Sequence, residues 1–168
     1  MGEGNGKKHW VGFDLGGTKM FCVLFDHKFN QVASVRKKTK SEEGVDGGIA
    51  RMINMVEQVL DEGRLDRDHL GGIGAGCPGP LDLDKGVVLE APNLGWHDVP
   101  LKEIFQKKFK CPVVIANDVD AGTYGEYRFG AAQKARCAVG VFPGTGIGGG
   151  CVYEGRLLRG KRGSCMEI

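Results

Sequence analysis

Apolar residues come in short runs broken by glycine and polar turns, and their spacing shifts between a period of two and one of three to four. The first run, Trp10-Val-Gly-Phe-Asp-Leu, ends on Gly16 and Gly17; Met20-Phe-Cys-Val-Leu-Phe follows at once, and a third run covers 29–35 beyond the turn at 26–28. Connections this short predict three antiparallel neighbours, because a parallel pair needs a crossover of about a dozen residues or more. The polar stretch 39–48 reads as a loop, Gly47 and Gly48 included. After it Ile49, Met52, Ile53, Val56, Val59 and Leu60 recur at helical spacing.

Residues 70–77 read as a buried strand running into Pro78-Gly79-Pro80, and 81–89 as a hairpin turning at Asp84-Lys85-Gly86. A short helix is expected over 100–109, with Pro100 in its first turn. A strand over 112–116 stops at Asn117-Asp118. A helix over 119–129 then carries Ala121, Tyr124, Gly125 and Arg128 along one side, and strands over 138–142 and 150–153 flank a glycine run. The order β-β-β-α-β-ββ-α-β-α-β-β describes an α/β chain: a mixed sheet, antiparallel in its first three strands, with helices packed on it.

Composition fits a soluble globular chain: 168 residues, 41% hydrophobic and 26% charged. The 29 glycines are far above the usual share of about 7%, and they cluster between β-branched runs, which points to several tight backbone loops. A net charge of +2 says little about partners. The one dense basic cluster, Arg36-Lys37-Lys38 with Lys40, is followed at once by Glu42 and Glu43 and reads as a solvated strand end rather than a nucleic-acid surface. The six cysteines show no C-x-x-C pair, and Cys22, Cys137 and Cys151 lie inside apolar runs, so buried reduced thiols are expected. No apolar leader opens the chain, Gly6 stands where a myristoylation signal needs Ser or Thr, and no run reaches the ~18 apolar residues of a membrane helix. A cytoplasmic protein without membrane or nucleic-acid partners is expected.

Chemistry concentrates in the glycine loops. In Asp14-Leu-Gly-Gly-Thr-Lys19, Gly16 and Gly17 let the backbone approach a ligand, so N–H groups with Thr18 and Lys19 can cradle phosphate oxygens. Asp14 at the strand end can hold a cation through its water. The alternative is a plain hairpin turn. Phe142-Pro-Gly-Thr-Gly-Ile-Gly-Gly-Gly150 repeats the strand, glycine-hydroxyl turn, strand unit, and two such hairpins facing each other would grip a polyphosphate. Gly144-x-Gly-x-x-Gly149 and Gly74-x-Gly-x-x-Gly79 formally match a dinucleotide fingerprint, but neither opens a helix as that site requires. Residues 155–162 miss the P-loop pattern because Arg162 replaces the hydroxyl residue. Asn117-Asp118, an amide and a carboxylate at the end of a strand, suits a general base; the competing reading is that Asp118 caps a helix beginning at Val119.

Taken together, Asp14-Leu-Gly-Gly-Thr-Lys, Ala75-Gly-Cys-Pro-Gly-Pro-Leu, Ala91-Pro-Asn-Leu-Gly-Trp, Ala116-Asn-Asp-Val-Asp-Ala, Gly125-Glu126 and Gly144-Thr-Gly-Ile-Gly-Gly-Gly resemble the ROK family of sugar kinases and repressors, and among them its bacterial glucokinases. The resemblance covers about residues 10 to 168. It implies an actin-like, RNase-H-like ATPase fold with the active site between two domains: a tail over 1–9, an N-terminal α/β domain over 10–117 and the start of an incomplete C-terminal domain over 118–168. It further implies an ATP- and Mg²⁺-dependent hexose kinase, with glucose converted to glucose 6-phosphate in first place.

Position by position, the resemblance implies that Asp118 takes the proton from a sugar hydroxyl. Gly79, Asn93, Asn117, Asp118 and Glu167 become sugar-binding. Gly16, Gly17, Thr18 and Lys19 with Gly144, Thr145 and Gly146 become the two phosphate loops, and Asp14 the carboxylate on the Mg²⁺ side. Met166 departs from the family's glycine before the glutamate. The chain stops at Ile168, short of the sugar-binding His and the Cys/His zinc segment expected next, so a fragment is expected, with zinc held only by the missing part. Oligomerisation is expected of the full-length parent. The competing readings are a sugar-sensing regulator and an inactive sugar- or nucleotide-binding module. Against the regulator stand the intact glycine loop and the 13 residues before Asp14, too few for a DNA-binding domain.

Overall fold

The three opening runs become β1 (His9–Leu15), β2 (Lys19–Phe25) and β3 (Gln31–Lys38), antiparallel in that order. This is a computed structural model of the chain, and it describes residues 8–143, 147–160 and 166–167. Side chains alternate across the pleat, so Val11, Phe13 and Leu15 of β1 face the core with Met20, Cys22 and Leu24 of β2. The third strand starts two residues later than expected, because Phe29 takes a left-handed conformation (φ 63°) in the turn.

Helix α1 (Gly44–Glu62) buries Met52, Met55, Val56, Val59 and Leu60 against this face. It begins earlier than the apolar pattern indicates and absorbs Gly47 and Gly48, which the sequence reading left in a loop. Tertiary packing overrides the low helix propensity of glycine here: a side chain on Gly48 would come within 2.6 Å of the Trp96 ring.

Strand β4 (Leu70–Cys77) lies parallel to β1 and is followed by a small antiparallel sheet, β5 (Leu81–Asp82), β6 (Val87–Ala91) and β7 (Trp96–Val99). β7 escapes a reading by pattern because two polar residues separate Trp96 and Val99, and Asp98 has a positive φ of 49°. Helix α2 (Leu101–Phe109) follows Pro100 and buries Leu101, Phe105 and Phe109. It leads into β8 (Val113–Asn117), parallel to β4, and the main sheet has the order β3-β2-β1-β4-β8.

Helix α3 (Asp118–Phe129) then leaves the sheet directly from β8. Beyond it β9 (Cys137–Pro143), β10 (Ile147–Tyr153), β11 (Arg156–Leu157) and β12 (Met166–Glu167) form a second sheet in which β10 pairs antiparallel with the other three. β10 starts at Ile147, earlier than expected, and takes Gly148, Gly149 and Gly150 of the glycine run into the strand. Side chains at Gly140 and Gly150 would lie 2.2 and 2.5 Å from the Thr123 hydroxyl, and one at Gly148 would lie 2.8 Å from Val119, so these glycines let α3 sit directly on the hairpin. Cys137, expected buried, is exposed on the outward face of β9 with Val139 and Val141, whereas Cys22, Cys77, Cys111 and Cys151 are buried.

The second face of the main sheet stays open. Gly12 and Asp14, Phe21, Val23 and Phe25, Gly74 and Gly76, Val114 and Ala116 occupy it, and Val114 is 65% exposed. α3 begins above Gly76 and ends where the ring of Phe129 lies 5.5 Å from that of Phe29, in the β2–β3 turn. A cleft of about 1290 Å³ remains between sheet, helix and hairpin.

Candidate active site

β1, β4 and β8 run parallel and end at one edge of the sheet, where ligands of open α/β sheets bind. Register places Asp14 beside Gly76, and Gly76 beside Ala116. A Cβ on Gly76 would stand 3.4 Å from the Cα of Asp118, so the first turn of α3 rests on β4 at contact distance. Asp14, at the end of β1, and Asp118, at the start of α3, thus share one corner of the cleft.

Asn117, not Asp118, caps the helix: its Oδ1 accepts from the N–H of Val119 at 3.0 Å and of Asp120 at 3.2 Å. The expectation that Asp118 caps a helix starting at Val119 is therefore corrected. Asp118 is the first helical residue, and its Oδ1 also accepts from the Val119 N–H, at 2.9 Å. The cap fixes which way the Asn117 amide points. Oδ1 is occupied, and Nδ2 is a donor with no protein partner among the described residues, in a side chain that lines the cleft.

Burial raises the Asp118 carboxyl above its ordinary range, against the stabilising Val119 N–H. Asp14 is raised as well, first by burial and then by the charge of Asp118, while Arg36 pulls it back. Asp120, 3% exposed, is raised by burial and opposed by Arg159, whose Nε lies 3.7 Å away. The charge of Asp118 raises it further, so Asp120 is coupled to that corner of the cleft, with Arg159 as its counter-charge.

The turn between β1 and β2 is tied down from behind. Gly16 donates to the Lys19 carbonyl at 3.1 Å, and a side chain on Gly16 would lie 2.5 Å from that oxygen. Thr39, buried at the end of β3, donates its hydroxyl to the Gly16 carbonyl at 2.6 Å and its N–H to the Thr18 carbonyl at 3.0 Å. Arg51 on α1 in turn donates to the Thr39 carbonyl at 2.6 Å and pairs with Glu43. With the loop's carbonyls turned inward, the N–H groups of Gly17 and Thr18 have no protein acceptor among the described residues, the arrangement of a backbone anion nest. Sequence reasoning missed Thr39 and Arg51, because a lone threonine at a strand end and an arginine on a polar helix face carry no motif.

Asp14, Gly79, Asn93, Asn117 and Asp118 all line the cleft. Gly16 to Lys19 stand at its rim, joined to it through Gly17, whose missing side chain would lie 3.1 Å from the Cβ of Asn93. Gly79 has φ 78°, and a Cβ there would fall 2.0 Å from the Glu90 carbonyl oxygen, so only glycine fits. Gly144, Thr145 and Gly146 lie outside the described residues. Glu167 pairs with Gly148 through the backbone of β12, and its side chain also lies outside them. Among the described residues no group of three or more His, Cys, Asp or Glu side chains could hold a metal. A single cleft carboxylate at Asp14 suits an ion that keeps most of its water, as Mg²⁺ does. No helix among the described residues is long and apolar enough to cross a membrane.

Residues 10–168 match the ROK family. A glucokinase of Halalkalibacterium halodurans is 31% identical over 159 residues, covering 95% of this chain and 48% of the relative. A xylose repressor of Caldicellulosiruptor bescii is 31% identical over 158 residues, covering 94% and 40%. Among solved structures, a ROK family glucokinase from Streptomyces griseus in complex with glucose and AMPPNP superposes with a TM-score of 0.83 at 31% identity, over 95% of this chain and 49% of that one. The chain spans about half the length of these relatives.

Thr39→Val keeps the shape of the side chain but leaves the Gly16 carbonyl without its donor. It is expected to lower the unfolding free energy by about 1–3 kcal/mol, whereas Thr39→Ser restores it. Urea denaturation checks this.

Proposed function

Because the chain belongs to the ROK family and has its actin-like ATPase fold, we propose that it forms the catalytic edge of an ATP-dependent hexose kinase that acts in the cytoplasm and converts glucose to glucose 6-phosphate. The observation that carries this reading is the placement of Asp118 over the bare backbone of Gly76, beside Asp14 and within reach of the β1–β2 turn. In this division residues 10–117 are the first lobe and 118–168 open the second, with the cleft between them.

Asp118 takes the proton from the sugar hydroxyl that attacks the γ-phosphorus. Burial raises its pKa, which makes it a better base than an exposed aspartate. The free Nδ2 of Asn117 donates to a neighbouring sugar hydroxyl, and Gly79, Asn93 and Glu167 complete the sugar's contacts. The N–H groups of Gly17 and Thr18, with Lys19, hold the donor's phosphates from one side, and Gly144, Thr145 and Gly146 hold them from the other. Asp14 would hold Mg²⁺ through its water, and the ion would supply the charge neutralisation that phosphate transfer requires. Phosphoryl transfer depends mainly on positioning and charge, so backbone loops, one base and one cation suffice.

A second reading has a specific observation behind it: the xylose repressor is as similar to this chain as the glucokinase is. A regulator of that kind would bind sugar without phosphorylating it.

Two measurements test the proposal. A coupled ATP assay over glucose, N-acetylglucosamine, N-acetylmannosamine and fructose, on this chain and on one extended by the remainder of the family domain, is expected to show transfer to glucose; sugar binding without transfer in both would favour the regulator. The pH profile of kcat/KM is expected to fall on the acid side as Asp118 becomes protonated. Its midpoint lies above the ordinary aspartate value of 3.8, because burial disfavours the charged base.

A further inference from the structure

The basic run at 36–38 has no place in the mechanism above, and the structure divides it between two faces. β2 and β3 pair with Lys19 opposite Lys38, Met20 opposite Lys37 and Phe21 opposite Arg36. Phe21 lines the cleft, and the Arg36 guanidinium lies 4.4 Å from its ring centroid, so Arg36 is on the cleft face. Alternation places Lys19 and Lys38, each two residues along its strand, on the same face. Lys37 stands opposite Met20, whose side chain is buried on the other face. One row across the sheet therefore reads Arg36, Phe21, Asp14, Gly76, Ala116, and the last four line the cleft.

Three cations consequently flank the β1–β2 turn. Like charges directly opposite each other destabilise a sheet, and none of the three has an ion-pair partner among the described residues. The arginine is held in place by the ring beneath it, and its charge registers at Asp14. The patch is short. The next cation, Lys40, lies 3.3 Å from Glu43, which also takes Arg51. A compact site of uncompensated charge beside a backbone anion nest suits a short, dense anion rather than an extended nucleic acid.

We propose that Arg36 and Lys38 join Lys19 in a cationic strip that binds the outer phosphates of a condensed phosphate chain, continuing the phosphate site of the β1–β2 turn along the sheet. The inference rests on the reading that this turn holds the phosphoryl donor. Arg36 and Lys38 replace part of the solvation of a phosphate chain too long for the turn's few N–H groups, and the chain in turn relieves the repulsion between Lys19 and Lys38.

The test is calorimetric titration of the 168-residue chain with ATP and with inorganic tripolyphosphate. The double variant R36Q/K38Q is expected to bind both about tenfold more weakly. The charge-keeping R36K/K38R retains most of the affinity, and K37Q, the same charge change on the opposite face, binds as the unaltered chain does. Loss with both anions means that the strip reads phosphates whatever carries them; loss with ATP alone means that it reads a tail placed by its nucleoside. Unchanged binding in R36Q/K38Q, an equal loss in K37Q, or a loss accompanied by failure of cooperative melting overturns the strip and leaves the donor reading standing. If the unaltered chain binds neither anion, both fall.

Discussion

The site depends on a close approach. The first turn of α3 packs over the bare backbone of Gly76, where a Cβ would stand 3.4 Å from the Cα of Asp118, an ordinary contact distance. With Asp14 next to Gly76 in the sheet register, that approach brings two carboxylates from β1 and α3 to one corner of the cleft. A methyl group at 76 would fit this contact, whereas a bulky side chain would crowd the corner that the two carboxylates share. Both groups are raised by burial, and the cost is partly offset by the Val119 N–H that donates to Asp118 Oδ1 and by the charge of Arg36 acting on Asp14.

The same economy of side chains governs the phosphate side. The β1–β2 turn is rigid because its carbonyls are held by Thr39, which is itself held by Arg51, and this leaves the N–H groups of the glycine loop outward. A ligand that meets N–H groups already ordered gives up little freedom on binding, which suits a reaction governed by positioning. Glycine therefore serves two ends in this chain. At Gly16 and Gly79 it satisfies backbone geometry that a Cβ would block, and at Gly140, Gly148 and Gly150 it admits a helix.

Much of this was legible in the sequence. Apolar alternation and short connections indicate three antiparallel strands, and the Asp14 loop and the Asn117-Asp118 strand end stand out because acid, amide and glycine occur where strands stop. Other features depend on partners far along the chain. Whether Asn117 or Asp118 caps α3 turns on where the helix begins, since both residue types cap well. Gly47 and Gly48 look like a loop until Trp96 is seen packed on Gly48. Cys137 follows the apolar pattern of its strand, yet that face of β9 is the outer one. Thr39 and Arg51 act through single hydrogen bonds across 23 and 12 residues of sequence, which no local pattern records.

Asp118 carries the central claim, and its isosteric replacement by asparagine tests it most directly. Asp118→Asn keeps the size of the side chain and removes a charge that burial disfavours. For a carboxyl whose pKa is raised on folding, the stability contribution is present at low pH and is lost as pH rises through that pKa. At neutral pH the variant is therefore expected to melt no lower than the unaltered protein. Steady-state kinetics of sugar phosphorylation in the active protein are predicted to show kcat reduced by about 10²–10⁴-fold, with KM for sugar and ATP little changed. A variant that keeps kcat within about tenfold of the unaltered protein would contradict the assignment of Asp118 as the base.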